Sequence, residues 1–93
     1  MCTYITNKVA IKGSAKGASG WFKTTDGSVY FDHPQHASEE HTLNIDFLNP
    51  ALGPSARVAV ELTAESAHEL AKAILQTLEE VPPGLLPERL LAT

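Results

Sequence analysis

Three of the four histidines in this 93-residue chain fall within one nine-residue stretch, His33-Pro34-Gln35-His36-Ala37-Ser38-Glu39-Glu40-His41, which also holds two carboxylates. Imidazole suits metal binding at neutral pH, because with a pKa of about 6.5 it offers an unprotonated nitrogen. His33 and His41 lie where one strand ends and the next begins, so the sheet would anchor both, while His36 swings in from the loop between them. A fourth ligand is available from Glu39, Glu40 or Cys2, whose thiolate binds zinc, copper or iron strongly. The spacing therefore predicts a metal site of His33, His36 and His41 with Cys2, zinc first and iron or copper second. Three imidazoles would leave one position open for water or a small substrate.

Without a metal, the same residues allow a different chemistry. A histidine oriented by Asp32, Glu39 or Glu40 can move protons in an isomerase or cyclase, with Trp21, Phe22, Tyr30 and Phe31 as candidate pocket walls. Cys2 beside a histidine is a candidate nucleophile. A third reading gives these residues no chemistry: histidines in a polar surface loop bond backbone or water, and the chain is a non-catalytic interaction module that pairs with a second copy. Other site types are absent from the sequence. The loop Gly13–Gly20 lacks the Gly-Lys-Ser/Thr that opens a helix in a phosphate loop, and neither a His-Glu-x-x-His nor a Gly-x-Ser-x-Gly motif occurs. No nucleotide cofactor is indicated. His68 stands apart, on a helix.

The elements that position the loop follow from hydrophobic periodicity. Alternation marks strands at Tyr4–Lys12, Trp21–Thr25, Ser28–Asp32, His41–Leu48 and Arg57–Leu62. Gly13–Gly20 reads as a connector, Asp26-Gly27 as a two-residue hairpin turn, and Asn49-Pro50 with Gly53-Pro54 as a further turn. From Thr63 the period changes. Ala67, Leu70, Ala71, Ile74, Leu75, Leu78 and Val81 recur every three or four residues, Thr63 can cap the first turn, and Pro82-Pro83-Gly84 ends the helix. The expected fold is α+β: a four- or five-stranded antiparallel sheet over residues 1–62, packed on one face by a single long helix over 63–81, then a Pro/Leu-rich tail over 82–93 that docks on the sheet or on a second subunit. The other face, with Asn44, Asp46, Ala59 and Glu61, is left open for solvent, a dimer partner or a pocket.

Length, 43% hydrophobic residues and 19% charged residues indicate one folded domain, residues 1–93. The formal charge of −4 disfavours a nucleic-acid backbone as partner. Its distribution is uneven: Lys8, Lys12, Lys16 and Lys23 precede every acid in the chain. No stretch approaches the length of an apolar membrane span, no signal peptide is evident, and a single cysteine forms no internal disulfide, so a cytoplasmic location is expected. A homodimer is expected, with a small molecule as the other possible partner.

Several segments together resemble a family of short uncharacterised bacterial proteins: Met1-Cys2-Thr3-Tyr4, Gly20-Trp21-Phe22, Tyr30-Phe31-Asp32-His33-Pro34, the run His41–Pro50, and Gly53-Pro54-Ser55-Ala56-Arg57-Val58. The resemblance covers about 85 residues, to Leu86. It implies no activity, since the family is one of unknown function, but Cys2, Asp32, His33, His36 and His41 lie in or beside its segments.

Overall fold

The computed structural model of the chain describes residues 5–91. Four strands, β1 (Ile5–Gly17), β2 (Gly20–Asp32), β3 (Thr42–Leu48) and β4 (Arg57–Leu62), form one antiparallel sheet in chain order. Helix α1 (Ala64–Glu80) follows, then a short α2 (Glu88–Leu91). The class is α+β, as the periodicity indicates, with four strands among the described residues rather than five and a second, short helix after the long one.

Four is the lower of the two expected counts, and it arises because β1 and β2 run straight through the two segments that read as breaks. Gly13–Gly17 continues β1, and the turn falls at Ala18-Ser19, between the paired Gly17 and Gly20, where Gly20 takes φ +112°. Asp26-Gly27 is not a turn. Gly27 lies buried inside β2, where an added Cβ would sit 3.1 Å from the Cγ1 atoms of both Val9 and Ile11. Its glycine answers a close approach between neighbouring strands, and a glycine of that kind has the same sequence signature as a turn. One extra residue in β1, between Ala10 and Gly13, makes a bulge that bends the hairpin. The bend brings Gly17 toward β4, so that a Cβ there would lie 3.5 Å from the carbonyl oxygen of Arg57.

Register assigns the two faces. Opposite one another on one face stand Thr6 with Tyr30, Ser28 with Asp46, Tyr30 with Asn44, and then Glu61 with Asn44 and Ala59 with Asp46. The other face carries Val29 against Ile45, Phe31 against Leu43, and Val58, Val60 and Leu62 against Phe47, Ile45 and Leu43. The polar face holds the most buried side chains of the sheet: Thr42, Asp32 and Asn44 are at most 4% exposed, whereas the apolar face is only half-buried, and Ala56 is the one buried hydrophobic residue among those described.

That inversion follows from α1. The helix forms where the sequence places it, with the Thr63 hydroxyl accepting from Ser66 N–H at 3.1 Å, Glu65 in its first turn, and Val81 before Pro82 at its end. It comes near β3 and β4 but does not cover the sheet. Every helix residue except Ala67 is exposed, and the stripe residues Leu70, Ile74, Leu75 and Leu78 are 40–65% exposed. The expected packing of the helix on its own sheet is thus corrected, and the cause is the connection. Thr63 alone joins β4 to α1, in extended backbone at φ −62°, ψ 155°, and a chain that must double back from strand to helix usually uses two to six residues. Leu85 and Leu90 of the tail are also exposed, while Leu86 is half-buried. Among the described residues, no helix is long and apolar enough to cross a membrane.

Between β3 and β4 the chain makes a 3₁₀ turn, Pro50–Leu52, held by Asn49. The Asn49 side-chain oxygen accepts from Ala51 N–H at 3.2 Å and its amide donates to the Lys23 carbonyl at 2.8 Å, tying the turn to β2. Gly53 ends it at φ +94°, ψ 177°, with open space where a Cβ would be. Gly53→Ala therefore meets no clash and still strains the backbone. We expect it to destabilise the fold by about 1–3 kcal/mol in urea unfolding, with wild-type stability showing that the turn adopts another conformation.

Candidate functional site

The polar face of the sheet, the 33–41 loop and β4 enclose an open concavity of about 960 Å³, at the upper end of the range for small-molecule pockets. Alternation builds it: Ser28 and Tyr30 from β2, Asn44 and Asp46 from β3, and Arg57, Ala59 and Glu61 from β4 project to one side at every second position. At its centre the nearly buried carboxylate of Asp46 accepts from the Tyr30 hydroxyl at 3.1 Å through one oxygen and from Arg57 Nη2 at 2.9 Å through the other. Arg57 is half-exposed, and its charge offsets much of the cost of enclosing the carboxylate. Burial, then the bond to Asp46, raises the Tyr30 hydroxyl above its ordinary pKa, so this tyrosine stays protonated as a donor. Beside them the Thr42 hydroxyl donates to the Asn44 side-chain oxygen at 2.7 Å, which satisfies two buried polar groups with each other.

Glu61 sets the loop. Its carboxylate accepts the backbone N–H groups of Gln35, of His36 at 2.9 Å and of Ala37 at 3.0 Å. Three donors aimed at one carboxylate favour its charged form, and the amides of Gln35 and His36 in first place hold its pKa below the ordinary carboxylate range. At the start of the loop the buried Asp32 accepts from His33 N–H at 2.7 Å.

The predicted metal ligands divide between the two sides of the sheet. The His33 and His41 rings are neighbours, with centroids 4.7 Å apart and planes tilted by 32°, and His41 stacks on Phe31, which belongs to the apolar face. His33 Nδ1 lies 3.0 Å from the Glu40 carbonyl oxygen, a bond that requires the ring proton on that nitrogen. His36 instead lines the polar concavity, its amide held by Glu61. Among the described residues, no group of three or more His, Cys, Asp or Glu side chains is placed to hold a metal ion. Cys2 lies outside the described residues. Of the candidate acids and bases, Asp32 is buried at the root of the loop, and Glu39 and Glu40 are exposed. Of the candidate pocket walls, only Tyr30 lines the concavity. Trp21 is 71% exposed, Phe22 lies against Gly17 at the far end of the hairpin, and Phe31 faces the other side. His68 is exposed on α1, near Glu69.

Parity places Glu61 on the open face from the sequence, but its hold on the loop, and the part played by Arg57, are not marked by any motif. The signal of both residues is parity alone: with Ala59 they alternate against Val58, Val60 and Leu62, which places them on the face of Asn44 and Asp46 once the two strands are paired. As a chemical surface, the concavity offers hydroxyl, amide and guanidinium groups, while its two carboxylates are already engaged by protein donors.

Fold and site together define a small α+β protein with an open antiparallel meander, a polar concavity on one side and an uncovered apolar surface on the other. The chain belongs to DUF6295, a family of unknown function whose profile matches residues 1–87. No curated protein and no solved structure matches it.

The Glu61 contacts generate a pH-dependent expectation. A carboxylate whose folded pKa is depressed stabilises the fold fully above its unfolded pKa, and that contribution is lost as pH falls through the lower folded value. Protection of the Gln35, His36 and Ala37 amides against exchange, taken at each pH relative to an unstructured chain and followed by NMR, should persist through the ordinary carboxylate range and fall below it. Glu61→Ala should quicken the same three amides several-fold at neutral pH, whereas unchanged exchange would show that Glu61 does not hold the loop.

Proposed function

We propose that the chain is a homodimeric binding module, which pairs with a second copy through its apolar side and presents the polar concavity to a small molecule. The observation that carries this reading is the amount of surface the single chain leaves uncovered. Its accessible surface is 7182 Å², against about 5,200 Å² for a folded monomer of 10.0 kDa. The surplus of about 2,000 Å² per chain is what an obligate dimer interface removes from each partner. The radius of gyration, 15.1 Å against about 12 Å for a globular chain of this length, points the same way. The ligand suited to the concavity is neutral and polar, because Asp46 is paired with Arg57 and Glu61 with backbone amides. Light scattering coupled to size exclusion should give twice the chain mass at micromolar concentration. A monomer at high concentration would remove the dimer.

The second reading is the metal site, and the adjacency of the His33 and His41 rings favours it. In this form the ion is held by His33 and His41, with Cys2 completing the set, zinc first and iron or copper second. Protein purified without a histidine tag then binds about one equivalent of metal, and His33→Ala and His41→Ala each release it. His36→Ala, on the other side of the sheet, leaves it bound. Less than about a tenth of an equivalent per chain, with no uptake of added zinc, iron or copper, would sink this reading.

A further inference from the structure

We infer that α1 of each protomer lies across the apolar sheet face of the other, so that the two copies exchange the helices their own sheets cannot receive. The inference rests on the dimer reading above and specifies its geometry.

The sequence carries two apolar surfaces of matching character in one chain. One is the sheet face of Val29, Phe31, Ile45, Phe47, Val58 and Val60, half-buried throughout and with no fully buried side chain among them. The other is the helix stripe, of which Leu75 is 65% and Ile74 53% exposed. Each is the natural cover for the other, since a helix on one sheet face is the ordinary two-layer solution for α+β folds. Dimensions agree: seventeen helical residues span roughly 25 Å, and four strands about 19 Å across. Within one chain the match is not made, because Thr63 alone connects β4 to α1 and its extended backbone carries the helix onward from the strand. A connection too short to close within a chain is the usual circumstance in which an element is exchanged between identical chains.

Two further observations select a second copy as the occupant. The surplus surface is of the size an obligate interface needs, and reciprocal exchange uses it twice over a two-fold axis, closing the assembly with no surface left to propagate. The charges of the two surfaces are also opposite. Helix α1 carries Glu65, Glu69, Glu79 and Glu80 against Lys72, whereas Lys16 and Lys23 stand on the apolar side of the hairpin, in register with Trp21 and Ser14. Sheet-to-sheet pairing would leave both helix stripes in water.

The test uses a dimer mixed from isotope-labelled and unlabelled full-length chains, with light scattering on the same sample. Isotope-filtered NOESY should show contacts between the methyl groups of Ile74 and Leu75 in one chain and the Phe47 ring and Ile45 methyls in the other. A dimer by mass in which these contacts are missing, or in which helix meets only helix, overturns the exchange and leaves the dimer standing. A monomer by mass overturns both. Leu75→Glu gives a second reading of the same claim: the dimer should dissociate at least tenfold more readily while the β1–β4 amide pattern is kept. A dimer of undiminished affinity in this variant counts against the exchange.

Discussion

One residue between strand and helix governs the rest of this molecule. With only Thr63 between Leu62 and Ala64, α1 starts before the chain has turned, and the apolar stripe that should cover the sheet is carried past it. The sheet face is left half-buried in consequence, and the large apolar side chains of α1 stay exposed. A chain under 100 residues has little apolar surface to spare for stability, and the exposed stripe of α1 forgoes burial that would add to it.

The polar side compensates in a way a simple two-layer protein would not require. Its enclosed groups form closed sets: Asp46 with Tyr30 and Arg57, Thr42 with Asn44, Glu61 with three loop amides. Among the described residues no buried side-chain polar atom lacks a partner. Polar networks satisfied to this degree fix geometry more than they add stability, because each bond replaces one to water. The 33–41 loop shows the effect. It has no regular structure of its own, and its course is set by Asp32 at its first residue, by Glu61 in its middle and by the bond between His33 and the Glu40 carbonyl near its end.

How much of this was legible in the sequence depends on the range of the interaction that decides each feature. The period of α1, its Thr63 cap and its end before Pro82-Pro83 are local, and the sequence shows them to within a residue. The cores of β3 and β4 are equally plain, since Leu43-Ile45-Phe47 and Val58-Val60-Leu62 alternate without a break. The first hairpin was not legible, because a glycine that makes room for Val9 and Ile11 looks the same in one dimension as a glycine that makes a turn. The histidine loop was legible only in part. Its spacing permits convergence, but a loop's path depends on what captures its backbone, and the captor of His36 is Glu61, twenty-five residues away. Neither the exposure of α1 nor its cause is visible in periodicity, which states that a face wants cover and not which chain provides it.

The two sides of the sheet therefore make opposite demands on whatever surrounds them. The polar side is complete within the chain and open toward solvent through a cleft wide enough for a small molecule. The apolar side is only half-buried. Any partner on the apolar side would press on the same strands that carry Asp46 and Arg57 on the reverse, one residue along each strand from Ile45, Phe47 and Val58. A β-strand transmits such contact directly, since neighbouring residues face opposite sides of one rigid ladder. The two sides of the sheet are thus linked through the backbone of β3 and β4, where Asp46 and Arg57 on one side alternate with Ile45, Phe47 and Val58 on the other.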